Sequence, residues 1–364
     1  MKAFVEGAEV SLETAAAAAA RVLEQARQPV IAGLATDSAG ARAAILLAER
    51  LHGAYDHMAS DILLRDIDVL RQAGRLLTTP NDVRLRADCL LLIGPKLLNI
   101  WPGLADRLAL AASPRLSEAK ARKIFWLGPG RGEAAEIGAA EITATPAALP
   151  LALAGLRAAV LERRIRINGA LAQKLTELAE TLRAAHFGAI LWSAESIDRL
   201  AIEMVQGLAT DLNQKTRFTT LPLDSGKNVS GVVQTSGWMT GFPVRTGFGR
   251  GYPEHDTWRF NATRMIESDE ADAALWISAY GDEAPQWKRQ VPMIALARPQ
   301  TRFPYAPRVR FEVGAPGQDH DAVEYARDIA TFTLARASAP SDAPRVADIL
   351  ALIEQNLTKG YEAC

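Results

Sequence analysis

Apolar residues along the chain fall into short continuous runs that alternate with helically spaced ones, the signature of buried parallel strands joined by helices. Ser11 can cap a helix running to about Gln28, with Glu13 and Thr14 in its first turn. Pro29 opens the apolar run PVIAG (29–33), a strand. After the polar turn Thr36-Asp37-Ser38, the spacing of Ala41, Ala44, Ile45, Ala48 and Leu51 predicts a second helix, with Gly53 as its C-terminal cap. Cys89–Ile93 reads as the next strand, ending in Gly94-Pro95-Lys96. A helix near Leu104–Ala112 and a strand at Lys123–Leu127, ending in Gly128-Pro129-Gly130, complete the first half.

The second half follows the same plan. FGAILW (187–192) is a strand, and Ile197, Leu200, Ala201, Met204, Val205, Leu208 and Leu212 line one face of a helix. A strand at 216–221 leads into Leu223–Trp258, a glycine-rich stretch with Trp238, Phe242, Phe248, Tyr252 and Trp258. That stretch keeps neither a helical nor an alternating period, and its aromatics argue against disorder; it reads as an ordered, irregular wall of a cleft or interface. Beyond it come the strands AALWIS (273–278) and MIALA (293–297), an outer strand RVRFEV (308–313) and a final helix near 346–357.

Two stretches resemble each other: RADCLLLIGPKLLNIWP (86–102) and EADAALWISAYGDEAPQW (270–287). Each runs from Ala-Asp into a buried strand, a glycine-containing turn and a proline. The pattern predicts an α/β fold of two related Rossmann-like halves with mainly parallel sheets, residues 1–150 and 151–364. Ligand sites would then lie at the carboxyl ends of the strands. The second half would begin with a helical connector, about 149–185, on which Arg163-Arg164-Ile165-Arg166 form a solvated helix face.

Composition narrows the functional classes. The 364 residues are 49% hydrophobic and 23% charged, with net charge −1, the balance of a soluble globular protein. No basic excess points to nucleic acid or an anionic membrane surface. Cys89 and Cys364 exclude a disulfide framework or a four-cysteine metal site, and a reducing cytoplasm is expected. No run of apolar residues is long enough to span a bilayer.

No strong catalytic motif is present. The glycine-proline turns at 94–95 and 128–130 could approach a phosphate, but they match no dinucleotide fingerprint and read as structural turns. His52, His57, His186, His255 and His320 show no metal-ligand spacing. Asp56-His57 and Glu254-His255-Asp256 remain candidate acid/base groups. There is no Gly-x-Ser-x-Gly elbow, and neither cysteine is placed as a nucleophile.

Residues 86–102, 228–253 and 271–299 together resemble the B-type subunits of formylmethanofuran dehydrogenase, members of the molybdopterin oxidoreductase superfamily; the likeness runs from about Glu13 to Arg310. The resemblance implies that superfamily's fold, here without the iron–sulfur domain or the C-terminal barrel. Family members with a tungsto- or molybdopterin have an N-terminal cysteine cluster, absent from this chain. They also supply a cysteine to the metal within an Ala-Ser-Val-Cys-His-Gly-like stretch. Here that stretch reads Ala59-Ser60-Asp61-Ile62-Leu63-Leu64, and Ile62 has no lone pair to offer a metal. The family's Gly-x-Asn-Pro turn becomes Gly94-Pro95-Lys96-Leu97, and an Arg-Gly-His-like run becomes Asp224-Ser225-Gly226-Lys227.

These losses make the chain similar to the B-type subunits of the bacterial formyltransferase/hydrolase complexes, which lack the metallopterin. The resemblance implies a non-catalytic scaffold in one-carbon metabolism, with no cofactor and no metal. Its partners would be an amidohydrolase-like hydrolase subunit, a formyltransferase subunit and a glutamate-synthase-like C-type subunit. Ile62, Pro95, Lys96 and Asp224 would be degenerate positions, and Asn228, Gln234, Trp238, Arg250 and His255 the remains of a cleft. Trp238 and Phe242 are expected to pack inward and fill it. The alternatives are a metallopterin-dependent formylmethanofuran dehydrogenase, with Ser60 or Asp61 as an oxygen ligand, and a free-standing small-molecule binder.

Overall fold

The computed structural model describes residues 2–117, 121–167, 169–224 and 226–358, so Ser225 and Cys364 lie outside the described residues. The chain is a mixed α/β protein of two compact units, and they do not divide at residue 150. One comprises residues 1–60, 226–326 and 331–364, the other residues 61–225 and 327–330. Strand pairing explains the difference. Pro29–Ala35 pairs in parallel with Ala273–Ser278, and Cys89–Ile93 pairs in parallel with Gly188–Trp192. Each expected half therefore contributes central strands to both sheets.

The unit built on residues 61–225 holds a five-stranded, wholly parallel sheet. Its spatial order is Ala140–Ile142, Lys123–Leu127, Cys89–Ile93, Gly188–Trp192, Phe218–Pro222. Numbered along the chain, that order is 3-2-1-4-5, which reverses direction between Cys89–Ile93 and Gly188–Trp192. Both faces are covered, so the two middle strands are buried at every residue. Leu149–Val160 and Ala170–Arg183 pack on one face through Leu153, Leu156, Leu175, Leu178 and Leu182. Leu97, Trp101, Leu104 and Trp126 fill the other.

The second unit carries a nine-stranded sheet. Its parallel centre runs Ala54–Tyr55, Pro29–Ala35, Ala273–Ser278, Met293–Ala297, Val309–Glu312. The order reverses between Pro29–Ala35 and Ala273–Ser278. Short antiparallel strands extend both ends, so Val309–Glu312 is not the outer strand: the hairpin Ala3–Val5 and Ala8–Val10 covers it. The two similar stretches thus place their strands at the centres of different sheets.

Each of these two strands is preceded by an aspartate doing the same job. Asp88 accepts the backbone N–H groups of His186 and Phe187 at 3.0 and 3.2 Å, just before the neighbouring strand begins. Asp272 accepts those of Arg27 and Gln28 at 3.1 and 3.0 Å, just before Pro29. Each aspartate's own N–H returns to the same segment, at Phe187 O and Gln28 O. Asp272 is pushed up by partial burial, but those N–H groups outweigh it and hold the carboxyl below the usual range.

Several local expectations change. His52, not Gly53, takes the left-handed position after the second helix, with φ 50°. Only Leu104–Arg107 is helical in the 104–112 stretch. The arginines of 163–166 are exposed, but they follow the Leu149–Val160 helix in chain with no regular secondary structure. The glycine-rich stretch is not irregular: Val229–Thr240 is a helix closed by Gly241, and Thr246–Gly247 and Glu254–His255 are short strands. Its buried face consists of Val229, Gly231, Val232, Thr235 and Ser236, helically spaced but mostly small or polar, which hides the period. An antiparallel hairpin, Ala322–Ala326 with Thr331–Ala335, is absent from the elements that periodicity predicts.

Replacing Asp88 or Asp272 by alanine leaves two N–H groups without their carboxylate and costs about 1–3 kcal/mol each. Urea denaturation is expected to show the larger loss for Asp88→Ala, because Asp88 is 8% exposed and water cannot compensate.

Candidate functional site

In doubly wound sheets, ligands bind beyond the carboxyl ends of the strands where the order reverses. Both units have such a reversal, and in both the place is taken by the chain's own residues.

In the residue 61–225 unit the crevice lies beyond Ile93 and Trp192. Gly94 has φ +91°, and a Cβ there would stand 2.5 Å from Ile197 Cγ2, so the turn after Trp192 closes directly over it. Arg65 fixes that turn by donating to Ala194 O at 2.8 Å and Ile197 O at 3.2 Å. The N–H groups that could have met a phosphate are engaged by Glu133. Its carboxylate accepts from Lys96 N at 2.7 Å, Leu98 N at 3.3 Å and Gly130 N at 2.6 Å. The reading of both glycine-proline turns as structural agrees with this geometry. Lys96 itself is left-handed and exposed, and Pro95 is half-buried beside it. Ile62 lies on the Ser60–Ala73 helix and packs against the apolar core. Asp224 is ion-paired with Arg327 at 3.6 Å.

In the other unit the crevice lies beyond Ala35 and Ser278. Gly33, at φ +84°, permits the close approach of the two central strands; a Cβ there would meet Ile277 O at 2.4 Å. Asn228 bridges two elements at the mouth: its Nδ2 donates to Thr36 O at 2.9 Å and its Oδ1 accepts from Tyr325 N at 2.9 Å. Lys227 pairs with Glu283 at 2.5 Å, and Glu283 also accepts from Ser278 Oγ at 3.1 Å. Tyr280 donates to Glu324 at 2.7 Å. Burial, and then the carboxylate beside it, push the Tyr280 phenol far up, so it stays a donor.

Neither candidate acid/base group forms one. Asp56 turns away from His57 to accept from Ser60 Oγ, from Ala262 N at 3.0 Å and from Arg245 at 3.4 Å. His57 is 2% exposed; its Nδ1 accepts from Ala59 N at 3.0 Å, which leaves the proton on Nε2. Burial, and then the Lys227 ammonium, push this imidazole down to about 4. In the second group Glu254 pairs with Arg250 at 3.3 Å, His255 Nδ1 faces Arg245 O at 3.0 Å, and Asp256 accepts from Trp258 N and Arg259 N.

The residues expected to line a former cleft are not gathered into one. Asn228, Gln234 and Trp238 share the Val229–Thr240 helix and its cap, with Gln234 half-buried. Trp238 is 69% exposed and Phe242 38% exposed, so neither packs inward. Trp238 lies outside on Phe332, 4.9 Å between ring centroids, and Phe242 stacks on His255 at 6.1 Å. Trp238 lies on the Val229–Thr240 helix away from the buried face of Val229, Gly231, Val232, Thr235 and Ser236. Arg250 is exposed.

Among the described residues, no three His, Cys, Asp or Glu side chains come together to hold a metal. The residues present do not fit a metallopterin: Ile62 offers no lone pair, and the N–H groups of Lys96, Leu98 and Gly130 already have the Glu133 carboxylate. Sequence reading missed Arg65, Glu133 and Arg245. For Glu133 a signal exists, since Gly130-Arg131-Gly132-Glu133 has the spacing of a side chain reaching back three residues to a backbone N–H.

Two outcomes follow. Glu133→Ala removes the acceptor of three N–H groups and is expected to lower stability by about 1–2 kcal/mol in urea denaturation. For His57, the unfolded chain binds a proton below about 6.5 while the folded chain resists until about 4. Its contribution is therefore fully present above pH 6.5 and falls away between 6.5 and 4, by about 3 kcal/mol. His57→Gln is expected to flatten the stability curve in that window.

No family model matches the chain. The B-type subunit of the formyltransferase/hydrolase complex of Methylorubrum extorquens is 32% identical over 372 residues, covering 100% of both chains. The B-type subunit of a tungsten-containing formylmethanofuran dehydrogenase of Methanocaldococcus jannaschii is 24% identical over 309 residues, covering 79% of this chain and 70% of that one. A chain in the crystal structure of the Methylorubrum extorquens formyltransferase/hydrolase complex with methylofuran matches with a TM-score of 0.88, 33% identity and 98% coverage of each chain. No helix of the described residues is long and apolar enough to cross a membrane. With similarity at this level along its whole length, the chain belongs to the family of B-type subunits of the formyltransferase/hydrolase complex.

Proposed function

We propose that this chain is a non-catalytic scaffold subunit of a cytoplasmic formyltransferase/hydrolase complex in tetrahydromethanopterin- and methanofuran-linked formaldehyde oxidation. It holds the hydrolase, formyltransferase and glutamate-synthase-like subunits, and the hydrolase and formyltransferase carry the chemistry. The carrying observation is the occupied strand ends. Glu133 sits on the backbone N–H groups of one unit, and Asn228 and the Lys227–Glu283 pair close the other.

On this reading Ile62, Pro95, Lys96 and Asp224 are degenerate positions of an ancestral metallopterin site. Asn228, Gln234, Trp238, Arg250 and His255 derive from its wall and now serve structure. The two units share a related Rossmann-like plan, a view supported by the matched roles of Asp88 and Asp272. A working dehydrogenase is disfavoured, because the similarity of such a subunit to this chain is lower, and the resemblance sets Ile62 at the position of its cysteine ligand.

The test is purification of the chain with its neighbours, followed by size-exclusion and metal analysis. Co-elution with the other subunits and only trace tungsten or molybdenum are expected. A lone monomer, or stoichiometric metal on this chain, overturns the proposal.

A further inference from the structure

Sheet edges expose unpaired N–H and C=O groups, and proteins keep them short, charged or covered. Three edges of this chain obey that rule. Glu254–His255 has two residues, one of them charged. Ala8–Val10 has three, with Glu9 paired to Lys2. Ala140–Ile142 has three, including Glu141. A fourth, Phe218–Pro222, is covered: Thr220 exchanges backbone hydrogen bonds with Leu76 and Thr78 at 2.7 and 3.0 Å.

Thr331–Ala335 differs from all of them. Its sequence, TFTLA, has no charge and no proline, and its five-residue register with Ala322–Ala326 contains no bulge. On the far side, Ala322–Ala326 is covered, since Tyr325 N donates to Asn228. That bond also fixes the phase of the ladder. Tyr325 points its N–H away from its partner Phe332, so Tyr325–Phe332 is a non-hydrogen-bonded pair. Val323–Leu334, two residues along, is another. Phe332 and Leu334 therefore aim their N–H and C=O groups at the open edge, and no third strand joins this sheet among the described residues.

The same two pairs put Val323, Tyr325, Phe332 and Leu334 on one face. Trp238 adds to it through its contact with Phe332. Trp238, Val323 and Leu334 are 69%, 45% and 48% exposed. Side chains of this size leave on the order of 300 Å² of apolar surface bare, comparable to the largest patch on a monomer and often functional.

We propose that this edge and face dock one extended, uncharged segment of another subunit of the formyltransferase/hydrolase complex, added as a third strand. The edge selects an extended backbone, and the apolar face selects alternating apolar side chains. The inference rests on the scaffold reading above, which supplies a partner within the complex.

The test uses the intact complex, with a photo-crosslinking amino acid in place of Thr333, whose side chain lies on the opposite face from Leu334. An adduct to one segment of another subunit is expected. An adduct to a second copy of this chain, or none, overturns the proposal. Leu334→Pro removes an outward donor and no hairpin bond, and is expected to lower retention in the complex at least tenfold, with the isolated chain's circular dichroism unchanged. Should that variant fail to fold, Leu334→Lys is read the same way; wild-type retention overturns the proposal. If the wild-type chain does not co-purify with its partners, the scaffold reading itself fails. If it does co-purify while crosslinking and variants give the contrary results, only the docking site fails.

Discussion

A parallel sheet leaves backbone donors and acceptors at its strand ends, and buried ones must find partners. In ligand-binding relatives of such folds a ligand can supply them; here the chain supplies them itself. Glu133 gathers three N–H groups at one set of strand ends, and Asn228 joins Thr36 to Tyr325 at the other. The Asn228 bonds join positions distant in sequence, and they tie the start of the Val229–Thr240 helix to Thr36 and to the Ala322–Ala326 strand. With the Glu133 carboxylate on those three N–H groups, an anionic ligand cannot recruit them without displacing it.

The same logic separates what the sequence reveals from what it conceals. Continuous apolar runs such as CLLLI and MIALA announce buried strands, because only a sheet covered on both faces accommodates them. Ile62 is legible only as an apolar residue that packs against the core, and its reading as a former ligand position depends on the family resemblance. The Val229–Thr240 helix is hidden because its buried face is built from Gly231, Thr235 and Ser236, and a hydroxyl network replaces apolar packing: Ser236 meets Tyr55 at 2.6 Å, and Thr235 back-bonds to Gly231 O. The division into units is hidden for a different reason. Pro29–Ala35 meets Ala273–Ser278 across more than two hundred residues, and periodicity within a window carries no information about that pairing.

Trp238 shows how residue type and role separate. An aromatic in a glycine-rich stretch suggests a filled pocket, yet the helix geometry turns it out onto Phe332. The residue expected to fill a pocket therefore stands on an outer surface.

The most direct measurement is an experimental density map of the complex, purified with all its subunits, at a resolution that shows side chains. The account predicts Glu133 on the N–H groups of Lys96, Leu98 and Gly130, with Asn228 between Thr36 and Tyr325. Density for a pterin or phosphate group at either set of strand ends, with those side chains swung aside, would contradict it.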